Sequence, residues 1–291
     1  MSTLAEEANW PRETIDRDYS ARASVTPEVF EQAMRDYRGR SEAMAAYCTH
    51  RDVVYDAESG ATLDVYGTGS GSGLRPVFVF IHGGYWRMLA KEDSAFMAGM
   101  LAAEGIATIA IDYRLAPAVT LAEIVREVRA AIAFLWKEGR AYGIDPARIH
   151  VGGSSAGGHL TGTVLAGGWH GDFGVPEDVV KGAMPISGLF HLAPISRSFV
   201  SDWVKLSDAE VLALSPAETI PVKGCPIIVA YADGEPDGFR RQSTEYDRLW
   251  RQAGLESRLI EVPGRNHFDV ILDLEMPDSL LSRALVGMIK G

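Results

Sequence analysis

Cysteine is scarce: Cys48 and Cys225 are the only two in 291 residues. Far apart and outside any Cys-x-x-Cys pair, they give neither a zinc spacing nor a disulfide framework, and such sparing use fits a reducing compartment. No run approaches the ~20 apolar residues of a membrane helix. The first twenty residues carry Glu6, Glu7, Glu13, Asp16 and Asp18 without the apolar stretch of a signal peptide. A cytoplasmic location is therefore expected. Positive charge is in deficit, with 28 Lys and Arg against 39 Asp and Glu and a net charge of −11. That balance disfavours nucleic acid and anionic membranes as partners, since both are densely negative. His-Glu-x-x-His, a Walker loop and Gly-x-Gly-x-x-Gly after a strand are all missing, so no metal and no nucleotide cofactor is expected.

What the chain does have is core-forming material: 47% hydrophobic and 9% aromatic residues rule out a disordered chain. The length suits one α/β domain spanning residues 1–291. Residues 1–25 read as polar and irregular. Thr26 then reads as an N-cap with Pro27 at the first helical position, and a helix should run to about Tyr47, making residues 1–50 an N-terminal helical segment. Residues 53–66 suggest a hairpin about Glu58-Ser59-Gly60, and Gly67 to Gly73 a flexible turn. Beyond it, short apolar runs at 77–81, 107–111, 149–151, 183–186, 227–231 and 259–262 alternate with helical stretches at 94–104, 120–138, 156–165, 239–253 and 279–289. Such a series predicts a mostly parallel central sheet with helices on both faces. The alternation lapses over residues 189–224, either a cap insertion over the site or a plain surface excursion.

The strongest chemical signal is Gly153-Ser154-Ser155-Ala156-Gly157. A strand runs into it and a helix out of it, the context of a nucleophile elbow, which makes Ser155 the candidate nucleophile. The second signal, His82-Gly83-Gly84-Tyr85-Trp86, also follows a buried strand. Gly83, Gly84 and Ala156 are placed to offer backbone N–H groups to a developing oxyanion, while His82 reads as a structural imidazole fixing the loop. A serine nucleophile needs a base, and the chain order in this arrangement is Ser, acid, His. His267, in the loop after the last predicted strand, meets that order; His170 and His191 come too early, and His159 lies one helical turn past Ser155. The acid should follow the strand at 227–231, where Asp233, Glu235 and Asp237 are all available. These residues by themselves leave that choice open. Tyr85, Trp86, Phe190, Trp203 and Phe268 are candidate pocket walls.

The motifs His82-Gly83-Gly84-Tyr85-Trp86, Gly153-Ser154-Ser155-Ala156-Gly157-Gly158-His159-Leu160 and Asn266-His267-Phe268 together resemble the α/β-hydrolase fold in its hormone-sensitive-lipase-like branch. Within that branch the chain is most similar to the serine-type kynurenine formamidases, or arylformamidases. Ser187-Gly188-Leu189-Phe190 leading to Pro194, Leu214-Ser215-Pro216, Phe239-Arg240-Arg241-Gln242-Ser243, and Asp18-Tyr19 with Arg22 extend the likeness over nearly the whole chain. The family's Gly-Glu-x-Asp, laid without a gap ahead of Phe239, falls on Ala232-Asp233-Gly234-Glu235. Glu235 thus stands where the family has its triad aspartate, and Asp237 reads as a helix N-cap. The resemblance implies a cofactor-free serine hydrolase of N-formyl arylamines such as N-formylkynurenine. A carboxylesterase or another small-amide or imide hydrolase shares the chemistry, whereas a non-catalytic binding protein on the same fold has no need of Ser155, His267 and the glycine loops together. The expected partner is a small-molecule amide or ester, acted on by a monomer or homodimer.

Overall fold

The computed structural model describes residues 3–69 and 73–291, so residues 70–72 of the expected Gly67 to Gly73 turn lie outside the described residues. Eight strands among the described residues form one sheet: β1 (Cys48–Val54), β2 (Thr62–Tyr66), β3 (Arg75–Ile81), β4 (Ala107–Ile111), β5 (Ile144–Ser154), β6 (Val180–Ile186), β7 (Ile227–Ala232) and β8 (Ser257–Val262). Their spatial order is β1-β2-β4-β3-β5-β6-β7-β8. The β1–β2 hairpin is antiparallel and β2 pairs antiparallel with β4; every pairing from β4 to β8 is parallel. β3 and β4 are almost wholly buried because both sheet faces are covered, as continuous apolar runs require.

Alternate residues of β3 serve the two faces. Val77, Val79 and Ile81 pack with residues of α4 (Leu121–Glu138), α5 (Ala156–Leu165) and α9 (Asp237–Gln252). Phe78 and Phe80 pack with Tyr37 of α2 (Pro27–Glu42), Leu101 of α3 (Ala98–Ala103) and Leu281 and Leu285 of α10 (Leu280–Lys290). Thr26 caps α2 by accepting the Val29 N–H, and Thr120 caps α4 by accepting that of Glu123. The remaining helices are α1 (Arg12–Tyr19), α6 (His170–Phe173), α7 (Ala193–Arg197) and α8 (Asp208–Ala213), the last two within the 189–224 stretch.

Three expectations need correction. Within the stretch 1–25 expected to be irregular, residues 3–25 are ordered: a turn over Thr3–Asn9 and helix α1 dock on α9 and bury Ile15 and Tyr19. Arg241 binds Glu7 at 2.7 Å and Asp18 at 2.9 Å, the Tyr19 hydroxyl donates to Glu7 at 2.7 Å, and Gln242 donates to Tyr19. Two of the charges that make this segment look solvated, Glu7 and Asp18, are neutralised by a partner far along the chain. The helix expected over 94–104 begins only at Ala98, since Asp93 turns back to accept the Ala90 N–H and Ser94 donates to the Ala90 carbonyl. The helix from Pro27 ends at Glu42 and tightens into a narrower turn over Ala43–Tyr47.

Candidate active site

Parallel registry aligns the carboxyl ends of the central strands, the edge at which open α/β sheets bind ligands. His82 follows β3, Ser155 follows β5, Ser187 follows β6, Glu235 lies just past β7 and His267 just past β8.

Ser155 sits between β5 and α5 with φ 59° and ψ −119°, a conformation that L residues seldom adopt. The crossing is so tight that a Cβ at Gly153 would lie 2.5 Å from the Ile81 carbonyl oxygen, and one at Gly157 2.0 Å from the same atom. The two elbow glycines are therefore required by close backbone approach. The Ser155 N–H donates to the Ile186 carbonyl at 2.9 Å, fixing the turn to β6. Ala156 opens α5, so its N–H has no partner within the helix.

The loop after β3 is equally constrained. Gly84 has φ +91°, and a Cβ there would meet the Met88 carbonyl oxygen at 2.3 Å. Tyr85, Trp86 and Leu89 also have positive φ. The Tyr113 hydroxyl holds the loop by donating to the carbonyls of His82 at 2.9 Å and Gly83 at 3.2 Å, and its ring stacks on His82. Burial pushes the His82 imidazole down to about 4, so it is neutral at pH 7. Its Nδ1 bonds the Gly83 carbonyl at 3.0 Å, which makes it a strut of this loop. The Trp203 indole N–H donates to the Tyr85 carbonyl at 3.0 Å, and the Tyr85 hydroxyl to that of Tyr19.

His267 is buried and its Nδ1 lies 2.7 Å from Glu235 Oε2. The other carboxylate oxygen accepts the Ser187 hydroxyl at 3.1 Å and the Ala232 N–H at 3.2 Å. Because a carboxylate only accepts, Nδ1 carries the proton, and Nε2 of the neutral ring keeps its lone pair. Asp233 and Asp237 are exposed. Asp237 is not the N-cap expected of it: Pro236 occupies that position with no side-chain cap, and Asp237 is the first residue of α9.

Ser155 and His267 line one cavity of about 510 Å³ together with Gly83 and Gly84. Tyr85, Trp203 and Phe268 are also in its wall. Phe190 and Trp86 are not, because both are fully buried. Phe190 stacks face to face on Tyr246 at 4.1 Å, and Trp86 stands edge-on to His159 at 5.1 Å. Sequence reasoning missed the N-terminal contribution of Ala21, Arg22, Phe30, Met34 and Tyr37 to the wall. It also missed Arg87, Met88 and Leu89 on the glycine loop, and Phe199 and Ile271. Arg22 belongs to the family-like N-terminal pattern, which was the one signal available for that segment.

A serine at a strand–helix elbow, an imidazole and a buried carboxylate on succeeding strand ends of a parallel sheet define the α/β hydrolases. Comparison with known proteins narrows this. The BD-FAE family model matches residues 63–172. Kynurenine formamidase of Salmo salar is 30% identical over 284 residues, covering 96% of this chain and 95% of its own. The Danio rerio kynurenine formamidase is 31% identical over 256 residues, 86% and 85% of the two chains. A solved structure from Silicibacter sp. TM1040 superposes with a TM-score of 0.78 at 24% identity, covering 95% of this chain and 99% of that one. The chain belongs to the kynurenine formamidase family and is a serine hydrolase.

Proposed function

We propose that the enzyme hydrolyses N-formyl arylamines such as N-formylkynurenine, with Ser155, His267 and Glu235 as its triad. Ser155 Oγ attacks the formyl carbon as His267 Nε2 takes its proton, and Glu235 stabilises the resulting imidazolium. The N–H groups of Gly83, Gly84 and Ala156 receive the oxyanion. Collapse expels the arylamine, which takes the proton back from His267 and leaves a formyl ester on Ser155. Water then attacks that ester with His267 again as base, releasing formate and restoring the serine.

The observation that carries this reading is the pairing of His267 with Glu235 beside Ser155 in a cavity walled by Tyr85, Trp203 and Phe268. Such a wall suits a flat aromatic leaving group next to a small acyl group. We read the chain as one domain, with residues 1–50 and 189–224 contributing side chains over the site. Free Cys48 and Cys225 support a cytoplasmic enzyme, which we take to act as a monomer or dimer; no helix among the described residues is long and apolar enough to cross a membrane. Measuring kcat/KM across formanilides, aryl esters, carbamates, cyclic imides and aliphatic esters tests the reading. Formanilides are expected to lead; long-chain aliphatic esters as the best substrates would replace it with a lipase-like esterase.

A further inference from the structure

Ser187 is a second serine at the carboxyl edge of the sheet, one strand over from Ser155, and the triad itself gives it no part. It follows β6, is fully buried, and holds φ at +48°, in the left-handed region that glycine enters freely and serine does not. Its backbone is pinned from both sides. The carbonyl of the preceding Ile186 accepts the Ser155 N–H at 2.9 Å, and the Ser187 N–H donates to the Ala230 carbonyl of β7 at 2.7 Å. α5 presses on the same turn: a Cβ at Gly158 would lie 2.7 Å from the Ile186 carbonyl oxygen and 2.8 Å from the Gly188 Cα. The turn thus joins the elbow of the nucleophile to the strand that leads to the acid. A glycine at 187 would make these backbone contacts with less strain. What it would lack is the hydroxyl, which donates to Glu235 Oε1 at 3.1 Å.

The two oxygens of Glu235 do different work. Oε2 faces His267 Nδ1 at 2.7 Å, while Oε1 accepts from Ser187 and, at 3.2 Å, from the Ala232 N–H. The terminal torsion of a glutamate is broad, so a single anchor lets the carboxylate swing. Two donors reaching Oε1 from the ends of β6 and β7 fix its plane, and with it the direction of Oε2.

We propose that Ser187 is a positioning residue: its hydroxyl locks the Glu235 carboxylate in the orientation that holds His267 for proton transfer, and the left-handed backbone at 187 is tolerated for that hydroxyl. The proposal rests on the Ser155, His267 and Glu235 triad proposed above. Ser187→Gly and Ser187→Ala test it on an activated aryl acetate, which keeps slow variants measurable. Both should lower kcat about tenfold or more with KM changed about twofold at most. Ser187→Gly, relieved of the positive φ, should melt above Ser187→Ala and yet lose as much kcat. In an enzyme already changed Glu235→Ala, Ser187→Gly should cost no further kcat, because the hydroxyl has no carboxylate left to orient. Where Glu235→Ala does not fold, the proton resonance of the His267 Nδ1–H replaces the cycle and should move in Ser187→Gly. Parental kcat in Ser187→Gly, an equal loss in the Glu235→Ala background, or an unmoved resonance overturns the proposal and leaves the triad in place. Near-parental kcat in Glu235→Ala would instead remove the triad reading, and this proposal with it.

Discussion

Replacing Glu235 by glutamine removes a charge while keeping the shape of the side chain, so the loss falls on its hydrogen bonds. The carboxylate receives three donors, from His267 at 2.7 Å, Ser187 at 3.1 Å and Ala232 at 3.2 Å, and is 5% exposed. An amide has one oxygen and one NH2 to meet them. If its oxygen stays with Ser187 and Ala232, its NH2 faces His267 Nδ1 and favours the tautomer protonated on Nε2. That ring has no lone pair for the Ser155 proton. By triad precedent the loss in kcat is up to about four orders of magnitude, or ~5.4 kcal/mol in the barrier. Stability should change by only about 1–2 kcal/mol, because two of the three bonds survive. Glu235→Asp keeps the charge but retreats by one methylene, which opens the 2.7 Å contact and places its kcat between parent and glutamine variant. Asp233→Asn and Asp237→Asn, both on exposed residues, should keep near-parental kcat. The assay is kcat on a saturating formanilide beside a thermal melt for each variant. A Glu235→Gln enzyme within tenfold of the parent would refute the reasoning.

Ser155→Ala should abolish turnover with an unchanged melting curve, because the glycines and not the hydroxyl set the elbow; activity within about tenfold of the parent would contradict it. Gly157→Ala places a Cβ 2.0 Å from the Ile81 and 2.7 Å from the His82 carbonyl oxygens. Both are backbone atoms, so a loss of about 3 kcal/mol or more is expected in urea unfolding. Burial pushes His82, His150 and His159 down to about 4, against 6.5 for a free imidazole. The unfolded chain therefore binds more protons between these values. The stability contributed by each ring, on the order of 3 kcal/mol, is fully present above pH ~6.5 and is lost as pH falls through about 4. Asp112, which burial raises to about 6, and Asp93 and Asp269, which burial raises less, oppose this, their contributions being lost as pH rises. Urea titrations should show stability falling from pH 7 to pH 5 and a shallower slope for His150→Gln; flat or rising stability would refute the balance.

The sheet was legible because its strands are buried on both faces and read as unbroken apolar runs. The elbow was legible because two glycines flank a serine between a strand and a helix. The docking of residues 3–25 was not, since the bond of Arg241 to Glu7 crosses 234 positions and nothing local distinguishes a neutralised carboxylate from a solvated one. Phe190 and Trp203 lie in the same irregular stretch, yet Phe190 is core and Trp203 is cavity wall. Facing in such segments is decided by partners such as Tyr246 and Tyr85, which no periodicity announces. Among the three loop carboxylates, the register to Phe239 and a place in the loop ahead of the helix favoured Glu235; the structure pairs it with His267 because the chain turns back on β7 through the Ala232 N–H.

The most direct test of the serine mechanism is to map the adduct formed with a fluorophosphonate. Intact mass should rise by one adduct per chain, peptide mapping should place it on Ser155, and Ser155→Ala should take up none. An adduct on another residue, or none on a protein that still cleaves formanilide, would contradict the mechanism.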